Sequence, residues 1–252
     1  MRAVWSGYVS FGLVSVPVQL FSATQEARPR FHEVHEADGS RVRHKRWCEA
    51  ESREISQQEV ARGWTAPDGR MVVLRDEDLE HLPLPTRKTI DLLGFVDIED
   101  VDPVMYAKPY WAGPNGPSAQ RPYALLVESL ARSGRVGVAK LALRTRERLA
   151  ILRPRLGVLA CHTLWWPEEI REPDDLTSSA PVSDVELAMA EMLIDQLAGV
   201  DIGGLHDDYA AALEQAVTAR LEGGELAEPP EPVPAVDLMA ALVESIRQAG
   251  RQ

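Results

Sequence analysis

Trp5-Ser-Gly-Tyr-Val-Ser-Phe-Gly-Leu-Val-Ser-Val-Pro-Val-Gln-Leu20 is the stretch whose reading decides the fold. Its apolar side chains fall first on odd positions, Trp5, Val9, Phe11 and Leu13, and then on even ones, Val14, Val16, Val18 and Leu20. Each half alternates with a period of two, the signature of a half-buried β-strand. A one-residue slip turns every side chain to the other face, so the change of phase requires a turn or a bulge. Gly12 stands at that change, where a residue without Cβ bends the chain at little cost.

Working outward, further β-type runs occupy residues 70–75 (after the turn Pro67-Asp68-Gly69), 89–96, 106–111, 135–143, 149–154 and 158–165. Short strands at this spacing predict an antiparallel sandwich or barrel over residues 1–170, a mainly β fold with some α. One helix is expected over residues 122–132, with Leu125, Leu126, Ser129 and Leu130 on one face. A shorter one is expected over 75–82, where Asp76, Glu77 and Asp78 load the first turn favourably for the helix dipole.

After a polar break at 173–181, Ser183 with Glu186 makes a capping box. Apolar positions Leu187, Met189, Leu193, Ile194 and Leu197 follow at helical spacing. A second helix is read over 209–221, ended by Gly223-Gly224, so residues 182–222 form a helical arm. The proline-rich stretch within 223–234 is a stiff linker. Beyond it Val236, Leu238, Met239, Leu242, Val243 and Ile246 give residues 235–252 an amphipathic character. Such a short helix is marginal alone, so it either folds back or lies in a partner's groove.

The chain of 252 residues carries a net charge of −12, which on its face argues against nucleic acid. The distribution reverses that reading. Residues 1–157 hold 23 Lys and Arg against 20 Asp and Glu, whereas residues 158–252 hold 4 against 19. Segregation of this kind gives one surface a positive field within an acidic whole. Two cysteines, Cys48 and Cys161, make no disulfide framework and fit a reducing compartment. No apolar run approaches the roughly 18–20 residues of a membrane span, and no secretory signal opens the chain. The cytoplasm, close to the nucleoid, is the expected location.

Residues 25–66 are polar, basic and without apolar period, and a connection of that length is either functional or disordered. They carry Arg28, Arg30, Arg41, Arg43, Lys45 and Arg46. On an extended strand Arg41, Arg43 and Lys45 would share one face at spacings of roughly 6.5–7 Å, which suits a duplex backbone. A second basic run contains Arg132, Arg135, Arg144, Arg146 and Arg148. The competing reading is a solvated sheet edge guarded by charge.

His32, His35, His44 and Cys48 lie close in sequence, but Cys48 is followed three residues on by Glu51 rather than by a second cysteine, so no zinc motif forms. His206-Asp207-Asp208 sits where a helix starts and reads as a cap. Nucleophile elbows, phosphate-binding loops and His-Glu-x-x-His are absent from the sequence. Carboxylates such as Asp97, Asp100 and Asp102 would serve a metal-dependent DNA-processing enzyme, although acidic surface turns of that kind are commonplace.

Several ordered motifs carry a resemblance. They are the opening stretch, Lys45-Arg46-Trp47-Cys48-Glu49, the run from Asp68-Gly69-Arg70 to Leu79, and Lys88-Thr89-Ile90. Asp100-Val-Asp-Pro103, Lys108-Pro109-Tyr110, Tyr123-Ala-Leu-Leu126, Leu143-Arg-Thr-Arg-Glu-Arg-Leu-Ala150 and Leu152-Arg-Pro154 complete the series. In order, over about residues 1–222, they resemble the bacterial Ku family, homodimeric DNA-end-binding proteins of non-homologous end joining.

The resemblance implies a β-barrel whose insertion at 25–66 is a bridge, with Trp5 to Leu20 as its anchored foot. Two subunits would join through barrel and arm into a ring over double-stranded DNA ends. Its implied DNA contacts are Arg28, Arg30, Arg41, Arg43, Lys45, Arg46, Arg132, Arg135, Arg144 and Arg146. The C-terminal segment, with Asp237-Leu238-Met239, would recruit ligase D. No catalytic residue, cofactor or metal is implied. Some relatives carry Cys-x-x-Cys in the bridge, where Glu51 stands here, and some end in a lysine-rich tail, a run not found up to Gln252. The rivals are the metal-dependent enzyme and a protein-binding scaffold without DNA contact.

Overall fold

The computed structural model describes residues 1–26, 29, 31–75, 77–78, 88–143, 146–174, 176–223, 243 and 245–247. They fall into two compact units, residues 1–26 with 32–172 and residues 27–31 with 173–252.

The opening stretch forms strands β1 (Ala3–Phe11) and β2 (Val14–Ser22), paired from Ala3 with Phe21 to Phe11 with Val14. The loop between them is Gly12-Leu13, and Gly12 has φ +58° while Leu13 stays at negative φ. A positive φ at the first central residue alone is the type II′ arrangement, which glycine fills. The turn therefore causes the phase change: Val9 on β1 and Val16, Val18 and Leu20 on β2 are all buried.

The insertion follows β2. It contains two small hairpins, β3 (Trp47–Cys48) with β4 (Arg53–Glu54), and β5 (Arg62–Thr65) with β6 (Met71–Leu74). The apolar run at 70–75 thus pairs with Arg62–Thr65 in a separate two-stranded sheet and is not a barrel strand, which corrects the expectation from the sequence. Of the helix expected over 75–82, Glu77 and Asp78 are helical and most of the rest lies outside the described residues.

The chain re-enters the barrel as β7 (Thr89–Val96), β8 (Tyr106–Pro114), helix α1 (Gln120–Ser133), β9 (Val136–Leu143), β10 (Arg146–Arg155) and β11 (Val158–Leu164). Seven strands close in the order β1-β2-β8-β11-β10-β9-β7. Closure is the parallel pairing of β7 with β1, Tyr8 opposite Thr89. At that seam the Tyr8 amide donates to the Lys88 carbonyl at 2.9 Å. A Cβ on Gly7 would collide there with the Lys88 carbonyl and the Trp5 ring, so this position needs glycine.

The main core unites Val9, Val18, Leu20, Ile90, Leu141, Leu152 and Leu159 with Tyr123, Leu126, Val127 and Leu130 of α1. The other face of β10 serves a second cluster through Ile151, with Val101, Val136 and Leu164. In the second unit, α2 (Asp184–Leu197) starts at Ser183, whose hydroxyl accepts from the Glu186 amide at 3.3 Å while Glu186 accepts from the Ser183 amide at 2.8 Å. Helix α3 (Asp208–Leu221) is capped by Asp207, which accepts from the Ala210 amide at 3.1 Å.

Candidate nucleic-acid interface

Strand register sorts the basic residues. Ala3, the end of β2 at Phe21, the start of β8 at Tyr106, the end of β11 at Leu164, the start of β10 at Arg146 and the end of β9 at Leu143 all lie at one end of the barrel. The insertion leaves this end from Ser22 and returns to it at Thr89. Arg146 pairs with Leu143 and Arg148 with Leu141, so both arginines share the strand face that carries the main core further along. Arg146 is exposed, and the Arg148 guanidinium lies 5.7 Å from the Trp165 ring centroid. Neither arginine makes an ion pair among the described residues.

Arg132 and Arg135 belong to the opposite end. The connection through α1 starts and finishes there, and β9 leaves from it. Arg132 meets Glu128 at 3.5 Å and Arg135 meets Asp97 at 3.5 Å. Arg153 and Arg155 lie at this end too, seven or more residues along β10 from Arg146, a separation of roughly 23 Å or more. The run that is continuous in sequence is therefore divided, by the lengths of β9 and β10, between the two ends of the barrel. Arg132 and Arg135 thus stand apart from Arg146, with which the sequence reading grouped them. Arg144 lies outside the described residues.

The insertion has little core and is tied by ion pairs. Arg41, Arg43 and Arg46 are exposed, without an ion pair among the described residues. Arg41, Arg43 and Lys45 do not share an extended strand as expected: Arg41 makes an isolated bridge to Val34, and residues 42–46 are irregular. Lys45 is held by Glu54 at 2.6 Å, which raises its pKa and leaves its charge already matched. Arg28 and Arg30 lie outside the described residues.

At the position where a metal staple would require a second thiolate, Glu51 instead accepts from Arg53 Nε at 2.5 Å. Glu59 takes the same guanidinium at 2.7 Å and caps Ser56, and those contacts lower its carboxyl to about 2. His35 bonds Asp38 at 3.0 Å, and His44 bonds Glu33. Asp102 accepts from the Val104 amide at 2.9 Å, and Asp97 faces Arg135, so two of the three suspected carboxylates have structural partners. Among the described residues no three His, Cys, Asp or Glu side chains converge as a metal site. Cys161 is buried, and burial pushes its thiol up to about 12, out of reach of thiolate chemistry at neutral pH.

Neither arm helix buries a residue within the single chain. Val185, Leu187, Ile194 and Leu197 of α2 stand exposed, as do Val200, Ile202 and Leu205 beyond it. Val243 and Ile246 are helical, whereas Val236, Leu238, Met239 and Leu242 lie outside the described residues. No helix among the described residues is long and apolar enough to cross a membrane.

The family model described as the Ku70/Ku80 beta-barrel domain matches residues 10–189, which takes in the end of β1 and the other six barrel strands. The chain belongs to the Ku family. Proteins called non-homologous end joining protein Ku are similar along nearly its full length. The one from Streptomyces griseus is 44% identical over 99% of this chain and 64% of its own. The one from Frankia casuarinae is 47% identical with the same two coverages. The Mycobacterium tuberculosis protein is 37% identical over 98% of this chain and 95% of its own. The chain thus spans a little under two thirds of the length of the Streptomyces and Frankia relatives. Among solved structures, the SPOC domain of human PHD-finger protein 3 covers 65% of the chain at 12% identity with a TM-score of 0.32, and 95% of that domain is matched.

On this Ku barrel, sequence reading missed Trp165 as a neighbour of the basic residues. The pair Trp165-Trp166 closing β11 was a visible signal, but which cations face it depends on β9–β10 register. Lys140, opposite Leu149 on the other face, stands 5.2 Å from the Trp166 ring. Adjacent tryptophans therefore serve opposite sides of the sheet.

Proposed function

We infer that this chain acts in non-homologous end joining as a non-enzymatic clamp, two copies closing a ring on a double-stranded DNA end. The supporting observation is the concentration of unmatched cations at one barrel end. Arg146 and Arg148 stand where the insertion leaves and returns, and the insertion itself carries Arg41, Arg43 and Arg46. A grip of this kind addresses phosphates and carries no base readout, as a protein meeting arbitrary broken ends requires. The names of the relatives favour the same pathway.

A second copy is the natural occupant of the exposed apolar arm, because a surface of that extent marks an interface. Trp47, Trp64, Met71 and Val73 of the insertion are exposed as well, and its surface ion pairs contribute little stability by themselves. Residues 235–252 are proposed to recruit ligase D; their deletion should spare DNA binding and abolish ligase stimulation.

The deciding experiment compares linear with covalently closed duplex of the same sequence across salt concentrations. The clamp reading expects strong preference for free ends and a log–log salt slope on the order of −0.9 per phosphate neutralised. Equal affinity for closed circles would overturn threading, and a flat salt response would overturn phosphate contact.

A further inference from the structure

Trp165 is the first residue beyond β11, at the barrel end shared with the insertion. Its amide donates to the Met105 carbonyl at 2.8 Å, which fixes its backbone, and the residue remains 40% exposed. The Arg148 guanidinium lies 5.7 Å from its ring centroid, and Arg146 follows on the same strand face. The ring is left partly in water beside Arg148, with Arg146 two residues away along the same strand face, and neither arginine has a carboxylate partner among the described residues. This is a suitable arrangement for a nucleotide, whose base offers a π-face to the indole and whose phosphate suits the guanidinium.

We propose that Trp165, flanked by Arg148 and Arg146, is a stacking platform for the unpaired bases of a protruding single strand at a DNA end. The proposal rests on the clamp reading and deepens it, because it names the kind of end preferred. Stacking is indifferent to base identity, so the preference leaves the clamp's sequence independence intact. Phosphates of the duplex engage the cations, whereas the indole meets only bases freed from pairing.

The test uses the full-length chain and the ratio of affinities for a duplex with a short protruding strand and the same duplex with blunt ends. The expected ratio is on the order of ten for the unsubstituted protein, from one stacked base. A protruding strand of abasic sugars keeps its phosphates and should return the ratio to about one. Trp165→Leu, which keeps apolar bulk, should also bring it to about one, while Trp165→Phe should retain most of it. An abasic strand bound as well as a normal one would overturn the platform, as would equal ratios for the Leu and Phe variants. Blunt ends bound well without any overhang preference would sink this inference alone. Failure to bind any end would sink it together with the clamp.

Discussion

The Tyr123 hydroxyl donates to the Ala112 carbonyl at 2.5 Å and in turn accepts from the Leu159 amide at 2.9 Å. Ala112 and Leu159 are opposed residues of β8 and β11, so a side chain from α1 bridges a rung of the barrel ladder. The helix is thereby anchored by polar contact as well as by its apolar face. Burial raises the pKa of this phenol, which keeps it a donor throughout the neutral range.

Removing that oxygen leaves a buried carbonyl and a buried amide without their partner. Tyr123→Phe should therefore destabilise the barrel by about 1–3 kcal/mol. For a chain of this size each kcal/mol corresponds to a Tm change of about 2–4 °C. Thermal denaturation checks it, and an unchanged Tm would mean that the two backbone groups re-pair directly.

The β10–β11 hairpin carries the opposite opportunity. Its two-residue loop is Leu156-Gly157, with φ values of +52° and +77°, the type I′ pattern that favours asparagine before glycine. Leu156 bears steric strain in the left-handed region while its side chain is 84% exposed. Leu156→Asn should stabilise the fold by about 0.5–1 kcal/mol, seen as a higher midpoint in urea at unchanged slope. A lowered midpoint would assign the exposed leucine a contact of its own.

His162 gives the barrel an acid-sensitive element. Its ring lies 5.4 Å from that of Tyr106, edge to face, with Nδ1 buried and without a hydrogen-bond partner among the described residues. Burial first, and the Arg153 charge second, lower its pKa below the ordinary 6.5. As pH falls below about 6.5 the unfolded chain takes up this proton before the folded chain does, so stability declines in that direction. His162→Phe keeps an aromatic partner for Tyr106 and removes the titration. Between pH 7.5 and 5.5, a window set around that ordinary value of about 6.5, the unsubstituted protein should drop in Tm relative to this variant. Parallel curves would remove His162 from the acid response.

Local signals were legible in the sequence and long-range pairing was not. The strand Thr89–Val96, the Ser183–Glu186 capping box and the turn at Gly12 each follow from neighbouring residues, and each is where the pattern placed it. The run at Met71–Leu74 has the composition of a barrel strand, but its partner is Arg62–Thr65, and composition does not choose partners. The same limit hid the Glu54 partner of Lys45 and the separation of Arg135 from Arg146. The Tyr123 bridge was beyond reach for the related reason that its two backbone partners come from different strands.

That separation yields the sharpest test of the interface. Arg41, Arg43 and Arg146 belong to the insertion and its barrel end, and lack ion pairs among the described residues. Arg132 and Arg135, at the other end, face Glu128 and Asp97. Neutralising Arg41, Arg43 or Arg146 to Gln should weaken end binding and reduce the magnitude of the log–log salt slope by about 0.9 for each phosphate no longer neutralised. In the proposed two-copy ring one substitution removes two such cations, so the slope should change by up to twice that amount. Arg132→Gln and Arg135→Gln should leave the slope where it was, because a cation remote from the phosphates displaces no counterions. Should Arg132→Gln flatten the slope as much as Arg146→Gln does, DNA must run the length of the barrel, and the insertion end alone would not be the interface.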